Sequence, residues 1–346
     1  MQMKKYILIL LVLIVGLNVF AQDPEFTQYY ANPIYLNPAF AGSSYGPRFA
    51  LNYRNQWPSI SGGFVTYAAS YDQHFDLLSG GIGVQVMYDR AGDGELSTTM
   101  GSLMYSYMLR INRKFAIKAG IQASLISKSI DFSKLLFGDQ INPKLGFIYE
   151  TKEVLPRDGV YSINPVADFS AGIMGFSKKF YGGVAINHIS EPMISFYQDN
   201  KSILPMKITV HAGLLLPLDN NRIARNYFSP NIMYQKQLNF SQFNIGAYYI
   251  KDYFVAGAWF RQTSENFDAV MILVGVKKES VKIGYSYDIT FSDARFGAKG
   301  SHEISLIIEL KTNRREASTK WRQLPCPTFY FFYCNFSYKF ALINLR

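Results

Sequence analysis

The sequence predicts an all-β fold, a transmembrane antiparallel β-barrel of about 14 strands, and three observations carry that prediction. The first is alternation. In Val281–Thr290 the residues Val281, Ile283, Tyr285, Tyr287 and Ile289 share one face, while Lys282, Gly284, Ser286 and Asp288 share the other. A strand that is apolar on one side and polar or small on the other suits a wall between lipid and water. The second is the absence, after Ala21, of any run approaching the roughly 20 apolar residues that a helical span needs. A membrane location then has to come from strands, because only helices and closed barrels satisfy every backbone group in lipid. The third is aromatic content: 16% of the chain, with 25 Tyr and 27 Phe, enough to supply girdles at both membrane interfaces. Mean hydropathy is near zero, as expected where lipid-facing and lumen-facing residues alternate.

Residues 1–21 read as a secretory leader. Lys4 and Lys5 form a charged start, Tyr6–Val15 an apolar core, and Val19-Phe20-Ala21 a small-residue cleavage site before Gln22. The apolar core is too short for a spanning helix. No cysteine flanks the cleavage site, which disfavours a lipoprotein. The formal charge is +10, and loss of Lys4 and Lys5 with the leader takes two from it. In an exported barrel a basic balance suits anionic lipid or an acidic partner better than nucleic acid, and no nucleic-acid contact is expected.

Residues 22–47 form a separate N-terminal segment, periplasmic or plugging the barrel. Asn32-Pro33 and Asn37-Pro38 initiate turns and bar a continuous helix. Phe26, Tyr29, Tyr30, Tyr35 and Phe40 are too many aromatics for a solvated linker, so the segment should pack against or inside the barrel.

The barrel occupies residues 48–312. The strands read as Arg48–Gln56, Phe64–His74, Gly80–Asp89, Ser97–Arg110, Lys114–Ser127, Ala167–Ser177, Phe180–Ile189, Lys207–Pro217, Asn226–Gln237, Phe240–Ile250, Tyr253–Gln262, Phe267–Lys277, Ser280–Thr290 and Ser301–Lys311. The connections support the count. Asn112-Arg113, Lys178-Lys179, Lys251-Asp252 and Lys278-Glu279 are tight turns, and each follows an even strand. The long connections Lys128–Val166, Ser190–Met206 and Phe291–Gly300 each follow an odd strand. Bacterial barrels place short turns in the periplasm and long loops outside, with an even strand number returning both ends to the periplasm. Leu218–Arg225 is the exception, a mid-length connection on the short side. By alternation Lys118, Gln122, His211, Lys282, Asp288 and Glu309 face the lumen. That suits a selective channel or a packed polar interior, and the second is preferred because polar barrel interiors are general.

Residues 313–346 form a periplasmic tail. Arg314, Arg315, Lys320 and Arg322 make its start basic, and both cysteines, Cys326 and Cys334, lie in it, so the barrel has no disulfide framework.

No catalytic, cofactor or metal site emerges. His74, His188, His211 and His302 show no ligand spacing. Gly80-Gly81-Ile82-Gly83 opens a strand rather than a helix, so phosphate-loop geometry is absent. Asp89, Asp93 and Glu95 crowd one connection, but Arg90 and the loose spacing favour a solvated tip over calcium. His211 with Ser70 or Ser286 is no more than an unconnected set of residue types.

The opening Pro24-Glu25-Phe26-Thr27-Gln28-Tyr29-Tyr30-Ala31-Asn32-Pro33, then Leu36-Asn37-Pro38-Ala39-Phe40-Ala41-Gly42, followed by Tyr53-Arg54-Asn55-Gln56-Trp57-Pro58, resembles the opening of the PorP/SprF family of Bacteroidota. Leu324-Pro325-Cys326-Pro327-Thr328-Phe329 resembles the family's ending, and Tyr330–Arg346 departs from it as an extension. The resemblance implies an outer-membrane, non-enzymatic barrel of the type IX secretion and gliding-motility systems. It implies periplasmic contact with other type IX components, and secretion and surface attachment of adhesins that carry a type IX C-terminal signal. The alternative is a channel for passive or substrate-specific diffusion. Candidate partner-binding residues are Asn32, Pro33, Asn37, Pro38 and Gly42 in the N-terminal motif and Leu136, Phe137, Phe147 and Tyr149 in the longest loop. Arg314 and Arg315 in the basic tail complete the set.

Overall fold

In the computed structural model the wall strands are β1 Arg48–Gln56, β2 Phe64–Phe75, β3 Gly80–Ala91, β4 Leu96–Arg110, β5 Phe115–Asp131, β6 Val166–Ser177 and β7 Phe180–Asn187. They continue as β8 Lys207–Leu214, β9 Asn226–Gln237, β10 Phe240–Lys251, β11 Phe254–Thr263, β12 Phe267–Lys278, β13 Val281–Thr290 and β14 Ser301–Glu309. The structure describes residues 23–310, apart from 45, 94, 113, 143, 153–158, 197–201, 220–225, 265–266 and 292–298. Each strand pairs antiparallel with its sequence neighbours, and Arg48↔Glu309 through Gln56↔Ser301 joins β1 to β14. The result is the closed 14-strand barrel that the alternation predicts.

Two details depart from the expected boundaries. The eighth strand is interrupted at Leu215, which turns inward and donates its N–H to the Lys179 carbonyl at 2.7 Å. The strand then resumes as Leu216–Pro217 against Phe228 and Tyr227. The connection Lys128–Val166 is also more structured than a free loop. β5 runs on to Asp131, and Val160–Ser162 pairs with its last three residues. Beyond them Ile141–Asn142 pairs with Gly146–Phe147.

Register divides the wall into two faces. On β5 Ala116, Lys118, Gly120, Gln122 and Ser124 are buried, whereas Ile121 and Leu125 are about 60% exposed, at 63% and 59%. The outward set elsewhere includes Leu103, Ile173, Val274 and Ile283, an apolar band of the kind that lipid covers. Outward aromatics meet across strands, as in Phe49–Tyr71 at 4.6 Å and Tyr53–Tyr67 at 5.1 Å.

The barrel has a turn end and a loop end. The turn end carries the short connections at 76–79, 178–179, 252–253 and 279–280, together with Arg48 and Glu309. The loop end carries the long ones. The described parts of the loop after β7, residues 188–196 and 202–206, fold back over its mouth: Met193 bridges Ile203, and Ile194 and Leu204 are buried. These two residues share a cluster with Phe26, Ala68, Met87, Met100 and Ile126.

Candidate functional site

Residues 23–47 run through the lumen. Their local shape follows from two Asn-Pro pairs. Pro33 starts a single helical turn, Pro33–Leu36, its fixed φ suiting the first helical position. Asn37 then caps the 3-10 turn Pro38–Phe40, its side-chain oxygen accepting from Ala39 N–H at 2.9 Å. These tight turns present Ile34, Leu36, Ala39, Phe40 and Ala41 to the wall residues Met104, Ala116, Met174, Phe176 and Met233. Methionine recurs because its flexible thioether fills the irregular gaps between a non-repeating segment and a regular wall.

At the loop end the segment is held by charge. Asp23 Oδ2 accepts from Lys207 Nζ at 2.6 Å and pairs with His188 Nε2 at 2.9 Å, while His188 Nδ1 pairs with Asp168 at 2.9 Å. Burial alone would lower the His188 pKa, but Asp23 and Asp168 outweigh it and raise it to about 9. Glu303 accepts the backbone N–H groups of Thr27 at 2.6 Å and Gln28 at 3.0 Å. Thr27 Oγ1 donates to Asp288 and accepts from Arg54 Nη1 at 2.6 Å. Arg54 bridges Asp288 and Glu303, and Arg261 joins Asp288 to Asp268. All these wall groups except the partly exposed Asp268 are buried, so each buried charge needs its partner, since an unpaired buried ion is costly.

Midway, Gln85 donates to Asn32 Oδ1 at 2.8 Å, Tyr29 packs edge-on to Trp259 at 4.9 Å, and Tyr30 packs against Tyr248 at 5.3 Å. Toward the turn end Asn37 Nδ2 lies 3.1 Å from His211 Nε2. Gly42 closes the segment. Its φ is +61°, and a side chain there would meet Gly81 Cα at 2.6 Å. Its N–H donates to Asp72 Oδ2 at 2.8 Å, and Asp72 in turn takes two hydrogen bonds from Arg48, at 2.6 and 2.8 Å. The Ala41 carbonyl accepts from Lys118 Nζ at 2.6 Å and Ser106 Oγ at 2.7 Å. Voids of about 20 and about 10 Å³ lie beside the segment, each room for a single water.

The barrel's own two ends, Arg48 and Glu309, lie side by side at the turn end, and the segment ahead of β1 runs away from them. The structure places Asp23 at the loop end and Leu310, whose N–H donates to the Pro47 carbonyl at 2.9 Å, at the turn end. The physical reason is that the segment's acids, aromatics and turns find complementary partners along the whole length of the wall, so it traverses the lumen before β1 begins.

The candidate residues fall into three groups. Asn32, Pro33, Asn37, Pro38 and Gly42 are all buried against the inner wall, and their contacts are intramolecular. Leu136, Phe147 and Tyr149 are more than half exposed on the loop after β5, with Phe137 half-buried beside them. Arg314 and Arg315 lie outside the described residues, as do the leader and the remainder of the tail. Sequence reasoning missed the Asp23, His188, Lys207 and Glu303 node. The signal for it was present in β1, where Arg48, Asn52 and Arg54 share the inward face with Ala50.

Chemically the inner wall is a set of contacts to the chain's own segment. Ser190 Oγ donates to Asp168 rather than to His188, so that cluster lacks the hydroxyl-to-imidazole contact of a nucleophile and base. Ser286 bonds Gln28 and His211 meets Asn37, at different heights of the segment. Glu95, from the acidic connection, pairs with Arg90 and Lys134.

A family model described as "Type IX secretion system membrane protein PorP/SprF" matches residues 18–308. No curated protein matches the chain. Among solved structures the CymD monoaromatic hydrocarbon channel is 12% identical, with a TM-score of 0.46, over 82% of this chain and 94% of that one. The P. putida toluene transporter TodX is 10% identical, with a TM-score of 0.46, over 80% and 93%. The Acinetobacter baumannii outer membrane protein Omp33 is 8% identical, with a TM-score of 0.43, over 77% and 99%.

Proposed function

The chain belongs to the PorP/SprF family of type IX secretion system membrane proteins, and from that premise we propose that it is a non-enzymatic outer-membrane component supporting secretion and surface attachment of partner proteins, gliding adhesins among them. The observation that carries this reading over a diffusion channel is the occupied lumen. Ile34, Leu36, Ala39, Phe40 and Ala41 pack on the inner wall along one part of it and Phe26, Ile194 and Leu204 along another, whereas a diffusion channel needs an open aqueous bore.

On this reading the loop end faces outward and the turn end faces the periplasm, in keeping with the usual segregation of long and short connections. The outward apolar band then meets outer-membrane lipid. The loop after β5 is the principal surface contact: Leu136, Leu145, Phe147, Ile148 and Tyr149 are all at least half exposed, an apolar cluster that a merely solvated loop would not need. In the periplasm the basic Asn313–Phe329 stretch docks other type IX components.

Deleting residues 138–148 should change the secreted and surface complement of one such adhesin while the barrel stays folded and inserted. Secreted and surface proteomes identical to wild type would reduce the loop to a lid and overturn the adhesin role.

A further inference from the structure

We propose that the loop-end recess now holding Asp23–Gln28 is a peptide-acceptor site, and that an acidic-aromatic segment of an exported partner displaces the chain's own residues from it. The proposal rests on the reading that the loop end faces outward.

Asp23–Gln28 forms neither helix nor strand. It is held as a peptide ligand is held, by pockets for its side chains and by anchors for its backbone. Asp23 meets Lys207 and His188. Phe26 enters an apolar pocket of Ala68, Met87, Met100 and Ile126 from the wall and Ile194 and Leu204 from the loop. The Thr27 and Gln28 N–H groups converge on the Glu303 carboxylate.

The roof of the recess is a loop rather than wall. His188, Ile194 and Leu204 all lie on the connection 188–206, and two of its residues, His188 at φ +57° and Glu191 at φ +41°, take up left-handed backbone that non-glycine residues seldom adopt. Connections of this kind open at lower cost than ladder-bonded strands do.

Charge selects the occupant. If the segment withdraws, Arg54 keeps Asp288 and Glu303, and Arg261 keeps Asp268 and Asp288. The Lys207 ammonium is paired through Asp23, so a vacated recess presents a buried cation that calls for a carboxylate. Beside it is a pocket of aromatic size. A partner segment with an acid followed within a few residues by an aromatic side chain meets both demands.

The test uses the purified full-length barrel and a fluorescein-labelled peptide of the sequence Asp-Pro-Glu-Phe-Thr-Gln-Tyr-Tyr. Asp23→Lys loosens the chain's own hold while leaving the wall intact. That variant should bind the peptide saturably and at least tenfold more tightly than wild type. Replacing the peptide's Phe by Ala should cost at least tenfold. A peptide beginning with Lys should fail on this barrel yet bind the single variant Lys207→Glu, in which the chain's own Asp23 meets a like charge. In wild type, which folds regardless, excess peptide should accelerate hydrogen exchange at the Thr27 and Gln28 amides. No saturable binding to the folded Asp23→Lys barrel overturns the proposal, as does unchanged exchange in wild type. Dimers of Asp23→Lys that the peptide fails to dissociate would assign the recess to a second copy and equally overturn it. Because binding is read on purified protein, its failure is distinct from any failure of the secretion role.

Discussion

Replacing Gly120 by alanine should destabilise this protein, although the same change in an empty strand would do the opposite. Glycine inside a strand weakens it, and alanine at a compatible position commonly stabilises by about 0.4–1 kcal/mol through the unfolded chain. Gly120 lies on the inner face of β5, and an alanine Cβ there would sit 2.5 Å from the Pro38 carbonyl carbon and 2.6 Å from its oxygen. Those atoms are backbone of the 3-10 turn and cannot rotate away, so the turn must shift by about an ångström. Overpacking of this kind costs about 1–3 kcal/mol. Gly101 on the outer face of β4 has nothing within 4 Å of its own added Cβ and serves as the internal control. Gly101→Ala should therefore be neutral to slightly stabilising, and Gly120→Ala should lie about 1–3 kcal/mol below it, because the unfolded-chain term is common to both and only the overpacking differs. Urea unfolding in lipid vesicles, followed by tryptophan fluorescence, measures the gap. Equal stabilities, or Gly120→Ala the more stable, would show that Pro38–Phe40 is not seated on β5.

The remaining predictions concern charge and topology. His188 has its pKa raised to about 9 in the folded state, against about 6.5 unfolded. Its contribution is therefore fully present below about pH 6.5 and is lost as pH rises through 9, with an upper bound of about 3.4 kcal/mol. Unfolding midpoints of wild type and His188→Gln should converge between those limits, and a constant difference from pH 6 to 10 would refute the linkage. A cysteine at Phe147 should label in whole cells and one at Lys179 should not; the reverse would invert the proposed orientation. Truncation after Thr312 should abolish co-purification of envelope partners while leaving the barrel inserted, and an unchanged partner set would remove the docking role from Asn313–Phe329.

The wall was legible because its signal is local. A period of two in residues such as Phe115–Leu125 fixes which side chains share a face, and the tight turns at Lys178-Lys179 and Lys251-Asp252 fix where strands reverse. Errors in the strand count would have mixed short and long connections, which is why the count held. The break at Leu215 was not legible, since three consecutive leucines at 214–216 satisfy either face. The fold-back of the loop after β7 was missed because its apolar residues come as short pairs, Met193-Ile194 and Ile203-Leu204, with no period that assigns them a face. The longer run of apolar residues after β5 drew attention to a loop that in the structure stays exposed.

The path of residues 23–47 required a different kind of information. Alternation shows that Lys118, Asp288 and Gly120 face inward but leaves unspecified what they face. The answer depends on matching two surfaces that are far apart in sequence. The inward glycines Gly81 and Gly120 are meaningful once Ala41 and Pro38 are known to press on them. The inward Lys118 is meaningful once its ammonium is known to meet a carbonyl of the same segment. A water-filled lumen would solvate such groups and would gain nothing from glycine beneath a backbone. Inward glycines, methionines and buried ions together mark a lumen built around a solid occupant. The aromatic-rich stretch ahead of the first strand, Phe26 to Phe40, has the composition to be that occupant.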